Sequence, residues 1–132
     1  MEVSINYWAV IVAAIAAFAV GSVWYSPILF GNAWMKENGF NEEEIKNSNP
    51  TKAYLFAFVL TLVIAVNLAA FLGEATLTWG LMAGALAGIG WVSAALGILY
   101  LFESRSLKLF FINAGYMAVI FILMGGIIAL WQ

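Results

Sequence analysis

Four stretches of this sequence, 5–25, 53–72, 79–102 and 107–131, run almost without charge, and each is long enough to cross the hydrocarbon core of a bilayer. A spanning helix needs roughly 20 apolar residues at about 1.5 Å rise per residue. The second stretch is interrupted only by Thr61 and Asn67, and the fourth carries Lys108 near its start. Charged residues make up 9% of the 132 and hydrophobic ones 65%, whereas a soluble domain is typically about a quarter charged. So short a chain cannot hide that much apolar surface from water. Its solvent is lipid. The expected architecture is all-α, an integral membrane bundle of four transmembrane helices forming one domain over 1–132, with connections 26–52 and 103–106 on one side.

Lysines and arginines near span ends set orientation. Lys36, Lys46 and Lys52 lie at the first connection, Arg105 and Lys108 at the third, and neither the N-terminus, residues 73–78 nor the C-terminus carries one. This bias makes the basic side cytoplasmic, places both termini outside and argues against insertion in both orientations. Met1-Glu2-Val3-Ser4 lacks a positive leader, and the apolar run after it exceeds the ~7–15 residues of a signal core. The first stretch therefore reads as a retained anchor.

The connections carry their own signals. Ser26-Pro27 ends the first span, since proline has no N–H and restricts the residue before it. Residues 28–36 read as a short interfacial helix with Phe30 and Trp34 at headgroup level. Asn41 and Glu44 form a capping box, and Asn49 with Pro50 starts the second span. Thr78 and Ser106 are the expected caps of the third and fourth.

Membrane helices associate by close packing and interhelical hydrogen bonds, because lipid tails are as apolar as leucine. Small residues four apart mark close approach: Ala9, Ala13, Ala17 and Gly21 on the first span, Gly80, Gly84 and Gly88 on the third. The third has a second stripe of Ala83, Ala87, Gly90, Ala94 and Gly97. Small residues on two faces lead us to expect the third helix at the centre. The pattern does not separate contacts within one chain from contacts between copies, but a four-helix chain must first satisfy itself, so packing within the chain is the first expectation. Lys52-Ala53-Tyr54-Leu55-Phe56 and Lys108-Leu109-Phe110-Phe111 open their spans alike; headgroup chemistry accounts for this without a duplication.

Several functions fall away. Cysteine and histidine are both absent, which removes disulfides, thiolate nucleophiles and imidazole or thiolate metal sites. We expect no catalytic residue, metal or cofactor. A net charge of −2 without a basic tract gives nucleic acid no footing. No carboxylate sits deep in a span, which disfavours proton- or sodium-coupled transport. Glu103 and Arg105 read as a solvated loop ion pair. No serine has a histidine or a GxSxG elbow to activate it.

Counting along the helices puts Ser22, Thr61, Ser93 and Asn113 at similar depth on the basic side, with Tyr116 slightly deeper; Asn67 stands apart, towards the other face. An unpaired amide is costly in hydrocarbon, so Asn113 must face the bundle. The layer has two readings. One is a cavity open on the basic side for a neutral solute. The other is glue, hydrogen bonds between helices at roughly 1 kcal/mol each.

Two blocks carry a family resemblance. The first is Trp24-Tyr25-Ser26-Pro27-Ile28-Leu29-Phe30-Gly31 followed by Trp34. The second runs from Phe102-Glu103-Ser104-Arg105-Ser106 through Leu107-Lys108-Leu109-Phe110-Phe111 to Ile112-Asn113-Ala114-Gly115-Tyr116. Together they resemble the domain-of-unknown-function 1761 family, small four-span membrane proteins found mainly in bacteria, over nearly the whole chain. The resemblance implies a four-helix membrane fold in a bacterial cytoplasmic membrane and supplies no activity. Members commonly place a histidine after the Gly-Tyr of the fourth span, where this chain has Met117. Read physically, Trp24, Tyr25 and Trp34 form an interfacial aromatic belt with Pro27 fixing the exit angle; alternatively, the 27–34 segment gates the polar layer.

The functional expectation is a homo-oligomeric channel or carrier for a neutral or hydrophobic small solute. The alternative is an accessory subunit binding a membrane-protein partner or lipid.

Overall fold

The computed structural model describes residues 5–131; the N-terminal residues 1–4, on which the leader reading rests, and Gln132 lie outside them. Among the described residues every regular element is helical. Four helices are long and apolar enough to cross a membrane: α1 (Tyr7–Trp24), α4 (Pro50–Leu72), α5 (Leu77–Phe102) and α6 (Leu107–Leu130). Two short ones, α2 (Gly31–Asn38) and α3 (Glu42–Asn47), occupy the first connection. The connections after α1 and α5 lie at one end of the bundle, which we call the basic end. Residues 73–76, Asn6 and Trp131 lie at the other, the terminal end.

The helix starts follow side-chain chemistry. Asn6 Oδ1 accepts from the backbone N–H groups of Trp8 and Ala9 at 3.1 and 3.2 Å. Its amide nitrogen donates to the Trp131 carbonyl at 2.8 Å, tying the first and fourth spans together at the terminal end. Asn41 Oδ1 caps Glu44 N at 2.7 Å, and the Glu44 carboxylate accepts from the Asn41 side-chain Nδ2 at 3.0 Å, where a capping box would use the Asn41 backbone N–H. Asn49 caps Lys52 N ahead of Pro50, and Ser106 caps Leu109 N. The third span differs from expectation. Its cap is Thr76, which accepts from Trp79 N at 3.2 Å, so the helix starts at Leu77 and Thr78 lies inside it. The short helix expected over 28–36 also shifts: residues 25–30 form turns, and helix begins only at Gly31.

The central helix is the fourth, not the third. Helix α6 packs against α1, α4, α5 and the short α2, whereas α5 packs chiefly on α6. The reason is that α6 carries small residues on more than one face. Ala114, Gly125, Gly126 and Ala129 are all buried. The Gly80/Gly84/Gly88 stripe of α5 lies directly on it. A Cβ at Gly80 would come 2.5 Å from the Gly125 carbonyl oxygen, one at Gly84 2.8 Å from Ile122 Cα, and one at Gly88 3.1 Å from Ala118 Cα. The second α5 stripe is not a second interface. Ala83 is buried and Gly97 meets the Phe110 ring, but Gly90 has open space around it and Ala94 is exposed. On α1, Ala9, Ala13 and Ala17 are fully buried as one stripe.

The outer surface is apolar. Trp8, Phe71, Leu101 and Phe102 are each more than two-thirds exposed, which water would penalise and lipid does not. Residues Leu86–Ser93 of α5 are π-helical, with α-helix on either side. Such segments carry i→i+5 hydrogen bonds and are rare outside functional or strained sites.

Candidate functional site

The two motif blocks meet at the basic end. After Trp24 the chain reverses. The Trp24 carbonyl accepts from Phe30 N at 3.0 Å, the Ser26 carbonyl accepts from Leu29 N at 3.1 Å and Gly31 N at 2.9 Å, and Ser26 Oγ donates back to the Val23 carbonyl at 2.7 Å. Gly31 is obligatory in this turn, since a Cβ there would overlap the Tyr25 carbonyl and lie 2.8 Å from that of Ser26. Pro27 sits exposed at the tip.

This hairpin aims its aromatic residues at α6. Trp24 Nε1 donates to the Ile112 carbonyl at 2.9 Å, and its ring lies over Gly115, where a Cβ would stand 3.1 Å from Cζ2. The Tyr25 hydroxyl donates to Asn113 Oδ1 at 2.7 Å, and Asn113 Nδ2 donates to the Tyr100 hydroxyl at 2.7 Å. Tyr116 reaches α1, its hydroxyl donating to the Ala17 carbonyl at 3.3 Å beside Gly21. Tyr25 stacks edge-on against both Tyr116 and Trp34, at centroid distances of 5.3 and 5.8 Å. Phe30 packs on Trp24 at 4.8 Å.

Helix α2 closes over this cluster and is held by the last loop. Ser106 Oγ donates to the Glu37 carboxylate at 2.7 Å. Arg105 donates to Asn38 Oδ1 at 3.2 Å and to the Glu103 carboxylate at 3.1 Å, with its guanidinium 5.4 Å above the Tyr100 ring. Arg105 and Glu103 are both exposed, so that pair contributes little on its own.

The polar layer read from the sequence divides. Asn113 and Tyr116 join the aromatic cluster, and Ser93 lies beside α6, 3.3 Å from the Ala114 carbonyl. Ser22 and Thr61 do not converge with them: Ser22 is exposed and bonds the Phe18 carbonyl, while Thr61 bonds that of Ala57. Hydroxyls placed this way satisfy their own helix. Among the described residues no buried side-chain nitrogen or oxygen lacks a partner.

A sizeable open space lies elsewhere. Helices α4 and α5 barely touch, and between them runs a groove of about 470 Å³. Leu68, Ala83 and Phe121 form its buried floor, with Asn67, Trp79, Leu86 and Trp91 on its walls. Phe71 and Trp91 meet edge-on across it at 6.4 Å. The π-helical segment supplies Leu86, Ala87 and Trp91 to one wall. The sequence reading missed this groove. Its one signal was Asn67, polar and away from the layer on the basic side.

Residues 8–129, including both motif blocks, match the model of a family described as a protein of unknown function (DUF1761). No curated protein and no solved structure matches the chain.

Proposed function

We propose, for a chain that belongs to the DUF1761 family of proteins of unknown function, a non-catalytic role: holding a hydrophobic small molecule that enters sideways from the bilayer into the groove between α4 and α5. One observation carries this reading. An apolar groove opens between two of the spans, whereas the polar groups at the basic end are bonded to one another or to their own helices. A conduit through the bundle would need polar groups left over to replace solute hydration. Of the solutes considered, a hydrophobic one therefore fits better than a hydrophilic one. The groove's volume falls within the roughly 300–1,000 Å³ of small-molecule sites. In this reading the basic end faces the cytoplasm of a bacterial cell, following its cations, and the aromatic cluster there anchors the bundle rather than gating it.

The test is photolabelling of the purified protein in lipid nanodiscs with a diazirine-bearing alkane. Labelling should concentrate on Phe71, Trp91 and Phe121, and the groove-filling Ala87→Trp should suppress it. Labels spread evenly over all outward faces, unaltered by Ala87→Trp, would refute the proposal.

A further inference from the structure

A second hollow, of about 310 Å³, lies between the short helices of the first connection and the start of α4. Local devices in the chain build it. Gly39, in the left-handed region at φ +72°, ends α2 and reverses the chain, so that Phe40 N donates to the Met35 carbonyl at 2.9 Å. The Phe40 ring then meets Trp34 of α2 edge-on at 5.5 Å. Pro50 starts α4, and Tyr54 reaches the same hollow one turn later. Three aromatic side chains from separate parts of the chain thus line one space, and Glu44 of α3 lines it with them. Phe40 and Tyr54 are exposed, so a ligand can reach them.

The charge of this lining is one-sided. It contains no lysine or arginine among the described residues. The Glu44 carboxylate accepts from the Asn41 side chain at 3.0 Å, and among the described residues neither Lys46 nor Lys52 forms an ion pair with it. Aromatic faces carry the negative side of the ring quadrupole. Three rings and one unpaired carboxylate therefore favour a cation.

The chemistry of the lining also selects the kind of cation. A hard metal ion needs several oxygen ligands, and among the described residues no cluster of three acidic side chains exists. A primary ammonium brings three N–H donors, which rings and aliphatic carbons satisfy poorly. A quaternary ammonium brings none and meets ring faces with its methyl groups. We infer that the hollow between α2, α3 and α4 binds a quaternary ammonium group, held by the Trp34, Phe40 and Tyr54 rings with Glu44 as its counter-charge. The site is separate from the α4–α5 groove and stands whether or not that groove holds a ligand.

The test uses protein labelled with 5-fluorotryptophan and purified in a nonionic detergent. Trp34 is one of six tryptophans, and its fluorine signal is assigned with Trp34→Phe. Choline should shift that signal saturably and leave those of Trp8, Trp79, Trp91 and Trp131 in place. The neutral isostere 3,3-dimethylbutan-1-ol forgoes both the ring and the carboxylate attraction and should bind about ten-fold more weakly. Choline affinity should fall about two- to five-fold in Glu44→Gln, which keeps the oxygen that Asn41 bonds, and by a similar factor in Tyr54→Leu. Glu44 and Tyr54 are both exposed, and unchanged Trp8 and Trp131 signals report that each variant is folded. Equal affinity for choline and its isostere, affinity unchanged in both variants, or no saturable shift of Trp34 overturns the proposal and leaves the groove reading untouched. Nanodiscs then separate the two sources of the group. A lipid-headgroup ligand holds the Trp34 signal at its choline-bound position in phosphatidylcholine discs before choline is added. A free solute gives the same choline titration there as in phosphatidylglycerol discs at high salt.

Discussion

The Tyr25 hydroxyl, just past the end of the first span, donates to the Asn113 side-chain oxygen in the fourth at 2.7 Å across 88 residues of sequence. The same amide donates to Tyr100 on the third span. The one Asn113 side chain thus links the first, third and fourth spans. The neighbouring Trp24 indole clamps the Ile112 carbonyl one residue earlier, so the hairpin after α1 grips one turn of α6 from two directions.

Replacing Asn113 with leucine strands two phenol hydroxyls at once. A buried group left without its partner costs about 1–3 kcal/mol, so we expect Asn113→Leu to destabilise the bundle by about 2 kcal/mol. In a double-mutant cycle with Tyr25→Phe, measured by steric trapping in bicelles, the two losses should be less than additive. Strict additivity would mean that the two side chains act independently.

Much of this fold could be read without coordinates, and the reason is solvent. Only length and apolarity decide a span, so all four were visible, as were the caps at Asn41, Asn49 and Ser106, where a side chain serves its own helix. Relations between helices were less legible. Gly80, Gly84 and Gly88 signalled contact but not which partner, and the equally small residues of α6 made that helix the centre instead. Trp24 bonds a backbone carbonyl, which every residue has, so Ile112 carried no mark. The groove between α4 and α5 is an absence of contact. In a helix apolar on all sides no pattern separates the face that meets protein from the face that meets lipid.

The two α5 stripes give opposite expectations for one substitution. At Gly84 a Cβ would run into the Phe121 carbonyl and stand 2.8 Å from Ile122 Cα, both backbone atoms that cannot move aside. Gly84→Ala should therefore cost about 2 kcal/mol, in the range of overpacked interiors. At Gly90 nothing lies within 4 Å, and Gly90→Ala should change stability by no more than about 0.5 kcal/mol. Thermal unfolding in detergent measures both; a reversed order would mean that α5 does not pack on α6 through this stripe.

The chain has no native cysteine, so single cysteines report topology cleanly. Asn38 and Arg105 meet at 3.2 Å, and cysteines replacing Lys36 and Arg105 should behave as a pair. A membrane-impermeant maleimide added to intact cells should leave both unmodified and modify one placed at Glu74 in the loop at the other end. Modification of the Lys36 and Arg105 sites with protection at Glu74 would invert the proposed orientation. Opposite behaviour of the first two would break the four-span arrangement itself.

The π-helical segment predicts where α5 tolerates a deletion. A π turn holds one residue more than an α turn, so removing one residue from Leu86–Ser93 should restore α-helix and keep both flanking halves in phase. Gly90 is the residue to remove, because a Cβ there would face open space. Ser93 Oγ donates to the Gly88 carbonyl five residues back at 2.7 Å, and after the deletion the same bond would span four, the usual serine back-bond of an α-helix. Gly80, Gly84 and Gly88 would stay on α6, and Tyr100 would stay opposite Asn113. Deleting the exposed Ile98 instead leaves the π segment in place and turns Tyr100 about 100° away from its partner. We therefore expect the Gly90 deletion to unfold within a few degrees of the native protein, and the Ile98 deletion to lose about as much stability as Asn113→Leu, about 2 kcal/mol. Equal losses from the two deletions would show that the extra residue is not stored in this segment.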